Sequence, residues 1–161
     1  MQPLRMTWRI DRLGGTDAGR MAAINAMFAT AFDDDPHYTK APPDAAYLAS
    51  TLTNPHVIAL AATDGDTVVG GLVAYVLPKL EQARAEVYIY DLAVIESHRR
   101  QGIATALIAE VRRIATDVGA WVVYIQADQG DPPAETLYTK LGSREEVLHF
   151  DLTPLPRDQA G

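Results

Sequence analysis

The sequence predicts a mixed α/β domain (α+β) in which helices pack on one central sheet. Two observations predict this fold class. Short β-rich runs bounded by turn residues alternate with segments of helical period, and a strand–helix–strand unit spans residues 86–127. That unit is expected to be a right-handed parallel crossover. The 161 residues suffice for one domain with its own core, which we assign to residues 1–154, followed by a flexible tail over 155–161.

The first half of the chain predicts a strand, two helices and two further strands. Met21, Ile24 and Phe28 recur at steps of three and four residues, which gives the first helix one apolar face. Residues 33–44 contain acids and prolines that end this helix. Two β-rich runs follow, separated by a hairpin turn signal at 64–66. The predicted bounds are strands at 6–13, 56–63 and 67–77 and helices at 17–32 and 44–52.

The second half predicts a strand, a helix, a strand, a helix and a last strand. Ile103, Leu107 and Val111 recur at steps of four residues, and Gly119 is a natural C-cap for that helix. Asp131 is expected to cap the next helix at its N-terminus. The predicted bounds are strands at 85–94, 120–127 and 143–152 and helices at 102–118 and 133–141. The residues thus predict six strands.

Composition and charge exclude several function classes. The absence of cysteine excludes disulfides, thiolate metal sites and a cysteine nucleophile. The histidines show no metal-ligand spacing, so no metal site is predicted. No apolar run is long enough to cross a bilayer and no signal peptide is evident, so we expect a cytoplasmic protein. A net charge of −7 disfavours nucleic acid and fits a cationic partner, although solubility alone would also explain it.

The segment 99–105 predicts an anion site at the start of a helix. The first turn of a helix leaves backbone N–H groups unpaired, and the helix dipole favours an anion there. Gly102 and Ala104 allow a ligand to approach these amides, and Arg99 and Arg100 can add charge-assisted hydrogen bonds. The spacing matches neither a P-loop nor the dinucleotide fingerprint. A surface loop with two solvated arginines is the alternative interpretation.

This segment, which reads RRQGIA, resembles the acetyl-coenzyme A loop of the GNAT N-acetyltransferase superfamily, Arg/Gln-x-x-Gly-x-Gly/Ala. The stretch DPPAETLYTKLG resembles the second block of that family, with Asp131 where the family often has asparagine. Residues 55–154 are more closely similar to aminoglycoside 3-N-acetyltransferases of the gentamicin-resistance type. The resemblance implies the GNAT fold with about six or seven strands, acetyl-CoA as cosubstrate and a homodimer.

The resemblance also implies which residues hold the cofactor. Backbone amides of the loop would bind the pyrophosphate, and the end of the strand before it would pair with the pantetheine arm. Tyr138 falls at the family tyrosine that can protonate the departing thiolate, and the Leu92 N–H is our expected oxyanion donor. The implied cofactor-binding residues are Leu92, Ala93, Val94, Arg99, Arg100, Gln101, Gly102, Ile103, Ala104, Thr105, Asp131, Ala134 and Tyr138.

Asp91 interrupts an otherwise β-branched and aromatic strand, which is an unfavourable place for a carboxylate. We expect it to bind the substrate ammonium group and to accept its proton, provided that burial raises its pKa. Tyr90 beside it is a further catalytic candidate. A structural salt bridge or an edge position is the alternative for Asp91. Strict alternation along the strand would place Asp91 on one face of the sheet and Glu86 and Tyr90 on the other. A bulge would interrupt this alternation, so the sequence leaves undecided which face of the strand contacts the substrate.

A polycationic substrate needs several carboxylates in its pocket. The substrate-binding candidates are Asp33, Asp34, Asp35, Glu86, Asp91 and Asp128. Taken singly, each of the loop carboxylates is better explained as a solvated surface charge than as a ligand, and we expect only two or three of them to line the site. The acidic loops favour a cation but do not name one.

Three functions follow from the sequence and the resemblance. The first is acetylation of the 3-amino group of the 2-deoxystreptamine ring of gentamicin-like aminoglycosides, which confers antibiotic resistance. The second is the same chemistry on another polyamine or on a protein amine. The third is a cofactor-binding module without catalysis. The absence of cysteine favours direct transfer in a ternary complex over an acetyl-enzyme intermediate.

Overall fold

The computed structural model describes residues 7–33 and 35–159, with residue 35 described by its backbone alone. The chain divides into two compact units, and the boundary between them along the sequence lies between Gln126 and Ala127. The first unit carries the sheet and most of the helices. The second carries one longer helix and the C-terminal residues.

The first unit contains five strands and four α-helices within the described residues. The longest helix, α4, has 15 residues, and no helix in the described part of the chain combines the length and apolar composition of a membrane span. The bounds are β1 Trp8–Arg12, α1 Ala18–Ala31, α2 Asp35–Thr39, α3 Ala45–Leu52, β2 Val57–Asp64, β3 Thr67–Pro78, β4 Ala85–Val94, a 3-10 turn Glu96–His98, α4 Ile103–Asp117 and β5 Ala120–Ile125.

The strands form one mixed sheet in the order β1-β2-β3-β4-β5. The first three pairings are antiparallel, and β4 pairs with β5 in parallel. The α4 helix connects these two parallel strands, which confirms that the predicted crossover is parallel. The mixed α/β class is therefore confirmed.

Helices α1 and α4 cover opposite faces of the sheet, as two neighbouring glycines of β3 show. A Cβ at Gly71 would lie 2.8 Å from the side chain of Ile24 in α1, whereas a Cβ at Gly70 would lie 3.1 Å from Ile103 in α4. Successive residues of a strand point to opposite faces, so each helix has its own face. We call these the α1 face and the α4 face. Val73 lies in the α1-face core together with Met27 and Phe28 of that helix.

The second unit contains helix α5, Pro132–Leu141, and a 3-10 turn, Arg157–Gln159. Asp131 caps α5 as predicted, because its Oδ1 accepts a hydrogen bond from the Ala134 N–H at 3.4 Å. The predicted strand over 143–152 is wrong, since these residues adopt no strand. The sheet therefore has five strands within the described residues instead of six or seven. A strand exists only when its backbone groups pair with a neighbouring strand, which a local sequence pattern does not supply.

Candidate active site

A β-bulge in β4 decides which side chains share a face. Asp91 pairs with Val73 and Ile89 pairs with Ala74, so Tyr90 is the extra residue without a counterpart in β3. An extra residue reverses the alternation beyond it. Tyr88 pairs with Tyr75, two residues from Val73 on the same face of β3. Tyr88 and Asp91 therefore both lie on the α1 face. The strict alternation that would separate them is wrong beyond Ile89.

Four tyrosine rings come together on this part of the α1 face, and we call them the tyrosine face: Tyr75, Tyr88, Tyr90 and Tyr124. Tyr88 and Tyr124 stack with ring centroids 4.7 Å apart and an interplanar angle of 9°. Tyr90 contacts Tyr75 and Tyr88 edge-on at 6.0 and 5.5 Å. Its side chain is 63% exposed. The sheet thus presents a surface of aromatic rings beside Asp91.

Glu86 belongs to the same face. It pairs with Leu77, which lies two residues beyond Tyr75 on β3, and its charge adds to burial in raising the pKa of Tyr124. Carboxylates therefore stand on both sides of the stacked rings, Glu86 towards the start of β4 and Asp91 towards its end. Aromatic faces and carboxylates both attract cations.

Asp91 is a half-buried carboxylate held by a hydroxyl group. The Tyr38 hydroxyl on α2 donates a hydrogen bond to Asp91 Oδ1 at 3.1 Å. Burial raises the pKa of Asp91, while the bond from Tyr38 and the nearby His37 act in the opposite direction. Within residues 7–33 and 35–159, no lysine or arginine forms an ion pair with Asp91, so the geometry does not support the salt-bridge interpretation. A carboxylate with a raised pKa is better matched to accepting a proton near neutral pH.

Replacing Tyr38 with phenylalanine is expected to raise the pKa of Asp91 further. The hydroxyl hydrogen bond stabilises the ionised carboxylate, so its loss favours the protonated form. If turnover requires ionised Asp91, the acid limb of a plot of kcat/KM against pH shifts to higher pH. Rates at high pH should change less, since Asp91 is ionised there in both proteins. An acid limb that stays in place would separate Tyr38 from the titration of Asp91.

The edge of β4 opens towards β5 at the same place. β5 pairs with β4 from Ala85 to Ile89, and the ladder ends there. On its other side β4 stays paired with β3 up to Val94. Residues 90–94 therefore have no partner strand on the β5 side within the described residues. This opening is where the resemblance places the pantetheine arm, along Leu92, Ala93 and Val94.

The predicted anion loop, residues 99–105, lies between the end of β4 and the first turn of α4, and two of its residues have positive φ angles. Arg100 has a φ of 62° and Gly102 a φ of 83°, so both lie in the left-handed region. The first hydrogen bond of α4 runs from the Ala106 N–H to the Gly102 carbonyl at 3.0 Å, so the amides ahead of Ala106 have no acceptor within the helix. A positive φ at a non-glycine residue is uncommon, and such strain concentrates at ligand sites. This backbone fits an anion such as a diphosphate.

Two contacts hold this loop against the sheet. The Ile103 side chain is 1% exposed and packs against Gly70 of β3 on the α4 face, which fixes the start of α4 on the sheet. The Arg99 Nε donates a hydrogen bond to the Val94 carbonyl at 3.2 Å, which joins the loop to the end of β4. Among the remaining predicted loop residues, Gln101 and Thr105 are exposed and Ala104 is half-buried.

A histidine–aspartate contact, which sequence reasoning missed, links the loop to the β2–β3 hairpin. His98 Nε2 lies 2.9 Å from Asp64 Oδ2, and its Nδ1 lies 2.9 Å from the Ser97 hydroxyl. The hydrogen bond from His98 is the main cause that lowers the pKa of Asp64. Since 34 residues separate the two partners, no local pattern could have found the pair.

In the second unit, the surroundings of Tyr138 favour its protonated form, as its predicted role as a proton donor requires. Burial raises the pKa of Tyr138, and the charge of Asp131 raises it further. Tyr138 is therefore protonated at neutral pH, as a proton donor must be. The Ala134 N–H is engaged by the cap, and Asp128 is exposed.

The remaining predicted carboxylates lie after α1. Asp33 is exposed and has a φ of 51°. Asp34 lies outside the described residues, and Asp35 begins α2, the helix that carries Tyr38. Among the described residues, no group of three histidine, aspartate or glutamate side chains is arranged to hold a metal ion.

Known proteins resemble this chain over most of its length. The model of the acetyltransferase (GNAT) family matches residues 22–143. A crystal structure of an aminoglycoside acetyltransferase from an uncultured soil metagenomic sample is 45% identical, with a TM-score of 0.90 over 93% of this chain and 100% of that one. Another such enzyme from a soil metagenomic sample, crystallised with sisomicin, is 28% identical, with a TM-score of 0.86 over 95% of this chain and 100% of that one.

Among curated proteins, N-acetyltransferase 8B of Rattus norvegicus is 33% identical over 89 residues. These residues are 55% of this chain and 40% of the rat protein, so the chain spans less than half the length of that relative.

Proposed function

Because the chain belongs to the GNAT acetyltransferase family, we propose that it transfers an acetyl group from acetyl-CoA to the 3-amino group of the 2-deoxystreptamine ring of gentamicin-like aminoglycosides. One observation carries the amine chemistry. The bulge at Tyr90 places a half-buried carboxylate beside exposed aromatic rings, at the point where the edge of β4 opens. The likeness to the two soil aminoglycoside acetyltransferases supports the choice of substrate.

The cofactor half of the proposal rests on main-chain groups. Amides of residues 100–105 bind the pyrophosphate, because they precede the first helical hydrogen bond and no side chain covers Gly102. The open edge of β4 at residues 92–94 pairs with the pantetheine arm. Acetyl-CoA supplies the activated acyl group.

Three protein groups then stabilise or neutralise the charges that arise during acetyl transfer. Asp91 binds the substrate ammonium and accepts one of its protons, which frees the lone pair of the nitrogen. The nitrogen adds to the thioester carbonyl carbon, which forms the new N–C bond, and a second proton leaves the nitrogen to solvent water. The C–S bond breaks as the carbonyl group forms again. The Leu92 N–H donates to the carbonyl oxygen as it becomes negative. Tyr138, protonated at neutral pH, supplies a proton to the departing sulfur.

The tyrosine face and Glu86 recognise the remainder of the substrate. An aminoglycoside carries several ammonium groups on linked rings, so it presents cations at a distance from the amine that reacts. Ammonium groups are attracted by the faces of tyrosine rings and by carboxylates. Glu86 lies five residues before Asp91 on β4, a distance of at most about 16 Å for an extended strand. A compact monoamine could not reach both carboxylates, whereas a multi-ring polycation can.

The proposal is tested by following coenzyme A release with acetyl-CoA and a panel of gentamicin, spermidine and a peptide with a free N-terminus. NMR of the gentamicin product identifies the acetylated nitrogen. We expect turnover with gentamicin and acetylation at the 3-amino group. Acetylation at another amine would overturn the position, and turnover with spermidine or the peptide alone would overturn the substrate class. Tight coenzyme A binding without turnover of any amine would indicate a non-catalytic module.

Replacing Tyr90 with alanine is expected to raise the KM for gentamicin by about 5-fold, since an aromatic contact with a cation contributes about 1 kcal/mol at an exposed site. Tyr90→Phe keeps the ring and should change KM much less. A matched control is Trp121→Ala, which removes an exposed aromatic residue of β5 that packs against Arg84 and is not part of the tyrosine face. If Tyr90→Phe lowers kcat as strongly as Tyr90→Ala, the hydroxyl of Tyr90 takes part in the reaction and ring contact is not its main role.

A further inference from the structure

The histidine–aspartate contact ties the segment before the anion loop to the β2–β3 hairpin. His98 Nε2 and Asp64 Oδ2 are 2.9 Å apart, and the two side chains are 22% and 31% exposed. An ionised carboxylate only accepts hydrogen bonds, so the Nε2–H donates to it and leaves Nδ1 of the neutral ring to accept from the Ser97 hydroxyl. A protonated ring donates to Asp64 in the same way. The contact is therefore compatible with both states of the ring.

The sheet fixes the face on which Asp64 lies. Ala62 pairs with Gly70, which lies on the α4 face, so Ala62 lies on that face too. The next residue, Thr63, contacts Arg20 of α1 on the other face. Alternation then returns Asp64 to the α4 face, and its backbone pairs with both β1 and β3. The carboxylate is thus a fixed point on the face that α4 covers.

The loop after this contact has few backbone bonds of its own. Within the described residues, the main chain of Arg100 and of Gln101 forms no hydrogen bond with other backbone groups. Arg100 nevertheless keeps a φ of 62°, and a residue with a side chain stays in this region only where its surroundings hold it there. Contacts at both ends of the loop supply that hold. Ile103 packs against Gly70 at one end, and the 3-10 turn Glu96–His98 is joined to the hairpin at the other.

We propose that His98 and Asp64 are positioning residues for the diphosphate of coenzyme A. Their contact holds the start of the loop on the sheet, so that the amides of residues 100–105 are already arranged for one anion before it binds. The inference rests on the proposed binding of coenzyme A at this loop. Neither side chain needs to touch the cofactor. A loop that is ordered in advance loses less conformational entropy on binding, which strengthens the affinity.

The charge of Asp64 distinguishes positioning from direct electrostatics. A carboxylate near a diphosphate repels it, so removal of this charge by itself would strengthen cofactor binding. Removal of the contact would weaken binding, because the loop would lose an anchor. The two effects of the same substitution therefore have opposite signs. A net loss of affinity in Asp64→Ala would identify the contact as the larger effect.

Calorimetric titration with coenzyme A tests the pair. We expect Asp64→Ala and His98→Ala each to weaken binding by about 5–10-fold, as for the loss of one partly exposed hydrogen bond. The double variant should bind about as weakly as either single variant, since both substitutions remove the same contact. The matched control Asp66→Ala removes an exposed carboxylate from the same hairpin turn and should keep or slightly increase the affinity. An unchanged or higher affinity in Asp64→Ala would overturn the proposal.

A conservative variant separates positioning from a general loss of structure. His98→Gln places an amide N–H near the position of Nε2, so it can still donate to Asp64, and its affinity should stay within about 2-fold of the wild type. If Asp64→Ala fails to fold, the comparison of His98→Gln with His98→Ala decides the question. Equal affinities in these two variants would contradict a role for the contact.

The rate of acetyl transfer completes the test. At saturating acetyl-CoA, kcat should stay the same in the folded variants, since neither side chain handles a proton of the reaction. A fall in kcat with unchanged affinity would rule out a positioning role at the loop. A wild-type chain that binds no coenzyme A would reject the proposed function and this inference with it. Variants that bind as tightly as a wild type that does bind would reject the inference alone.

Discussion

Replacing Asp91 with asparagine is expected to lower turnover by about 10²–10⁴-fold, the usual contribution of a positioned general base. Asparagine keeps the size of the side chain and an oxygen that can accept the bond from the Tyr38 hydroxyl, so the local geometry is preserved. It removes the negative charge and the ability to accept a proton. The measurement is single-turnover acetyl transfer at saturating acetyl-CoA, together with the affinity for coenzyme A. The affinity should change little.

The same substitution is expected to leave the fold intact or to stabilise it slightly near neutral pH. Burial raises the pKa of Asp91, so the folded state disfavours the ionised carboxylate relative to the unfolded chain. The ionised group therefore destabilises the fold at pH values above the raised pKa, and this effect disappears as the pH falls below the ordinary pKa of aspartate. Thermal unfolding of both proteins at neutral and at acidic pH measures the difference. A gain at neutral pH that vanishes in acid is the expected pattern.

The control for Asp91 is Asp117→Asn at the end of α4, which makes the same chemical change at an exposed position. It should alter neither turnover nor stability. Wild-type turnover in Asp91→Asn would remove Asp91 from the mechanism. Loss of turnover accompanied by a clear loss of stability would instead assign Asp91 a structural role.

Replacing Gly102 with valine is expected to weaken coenzyme A binding by about 10–100-fold, equivalent to losing one or two charge-assisted hydrogen bonds. A Cβ at Gly102 meets no protein atom within 4 Å, so the added side chain occupies the space through which a ligand reaches the amides. The φ of 83° adds backbone strain of about 1–2 kcal/mol for a residue with a side chain. Calorimetric titration with coenzyme A measures the affinity.

The chain offers a matched control at the opposite end of the same helix. Gly119 has a φ of 73°, and a Cβ there also meets no protein atom within 4 Å. Gly119→Val should therefore lose stability to a similar degree while it retains coenzyme A affinity. Equal affinities for the two variants would reject the assignment of the loop, because strain alone would then explain both.

Much of the fold was predictable because it depends on short-range patterns. The parallel β4–α4–β5 crossover follows from the order strand, helix, strand along the chain. The period of α4 from Ile103 onward and the cap at Asp131 follow from residues within one or two turns of each other. The helix start at Gly102 and Ile103 was predictable for the same reason, whereas the anion site at residues 99–105 stays a prediction. It needs only a helix start, a glycine and neighbouring arginines, which are contiguous in sequence.

The arrangement of the candidate site was less predictable. The partner of Asp91 is Tyr38, which lies 53 positions away in a segment whose sequence predicts only a helix break. Tyr75 and Tyr124 join the tyrosine face through the registers of β3 and β5 against β4. Such registers are set by pairing between distant segments. If the register between the parallel strands β4 and β5 had been known, it would have identified Tyr124 as the neighbour of Tyr88 in the tyrosine face.

The sequence by itself determined the order of the five strands and of helices α1, α3, α4 and α5, the position of the loop at residues 99–105 and the presence of a carboxylate in β4. It also determined that residues 143–152 have the pattern of a strand. Only the tertiary structure decided that a bulge at Tyr90 turns Asp91 towards the tyrosines, and that residues 143–152 adopt no strand. The physical reason is the same in both cases. Side-chain periodicity is a local property, whereas the face of a residue and the existence of a strand depend on hydrogen bonds to a neighbouring backbone.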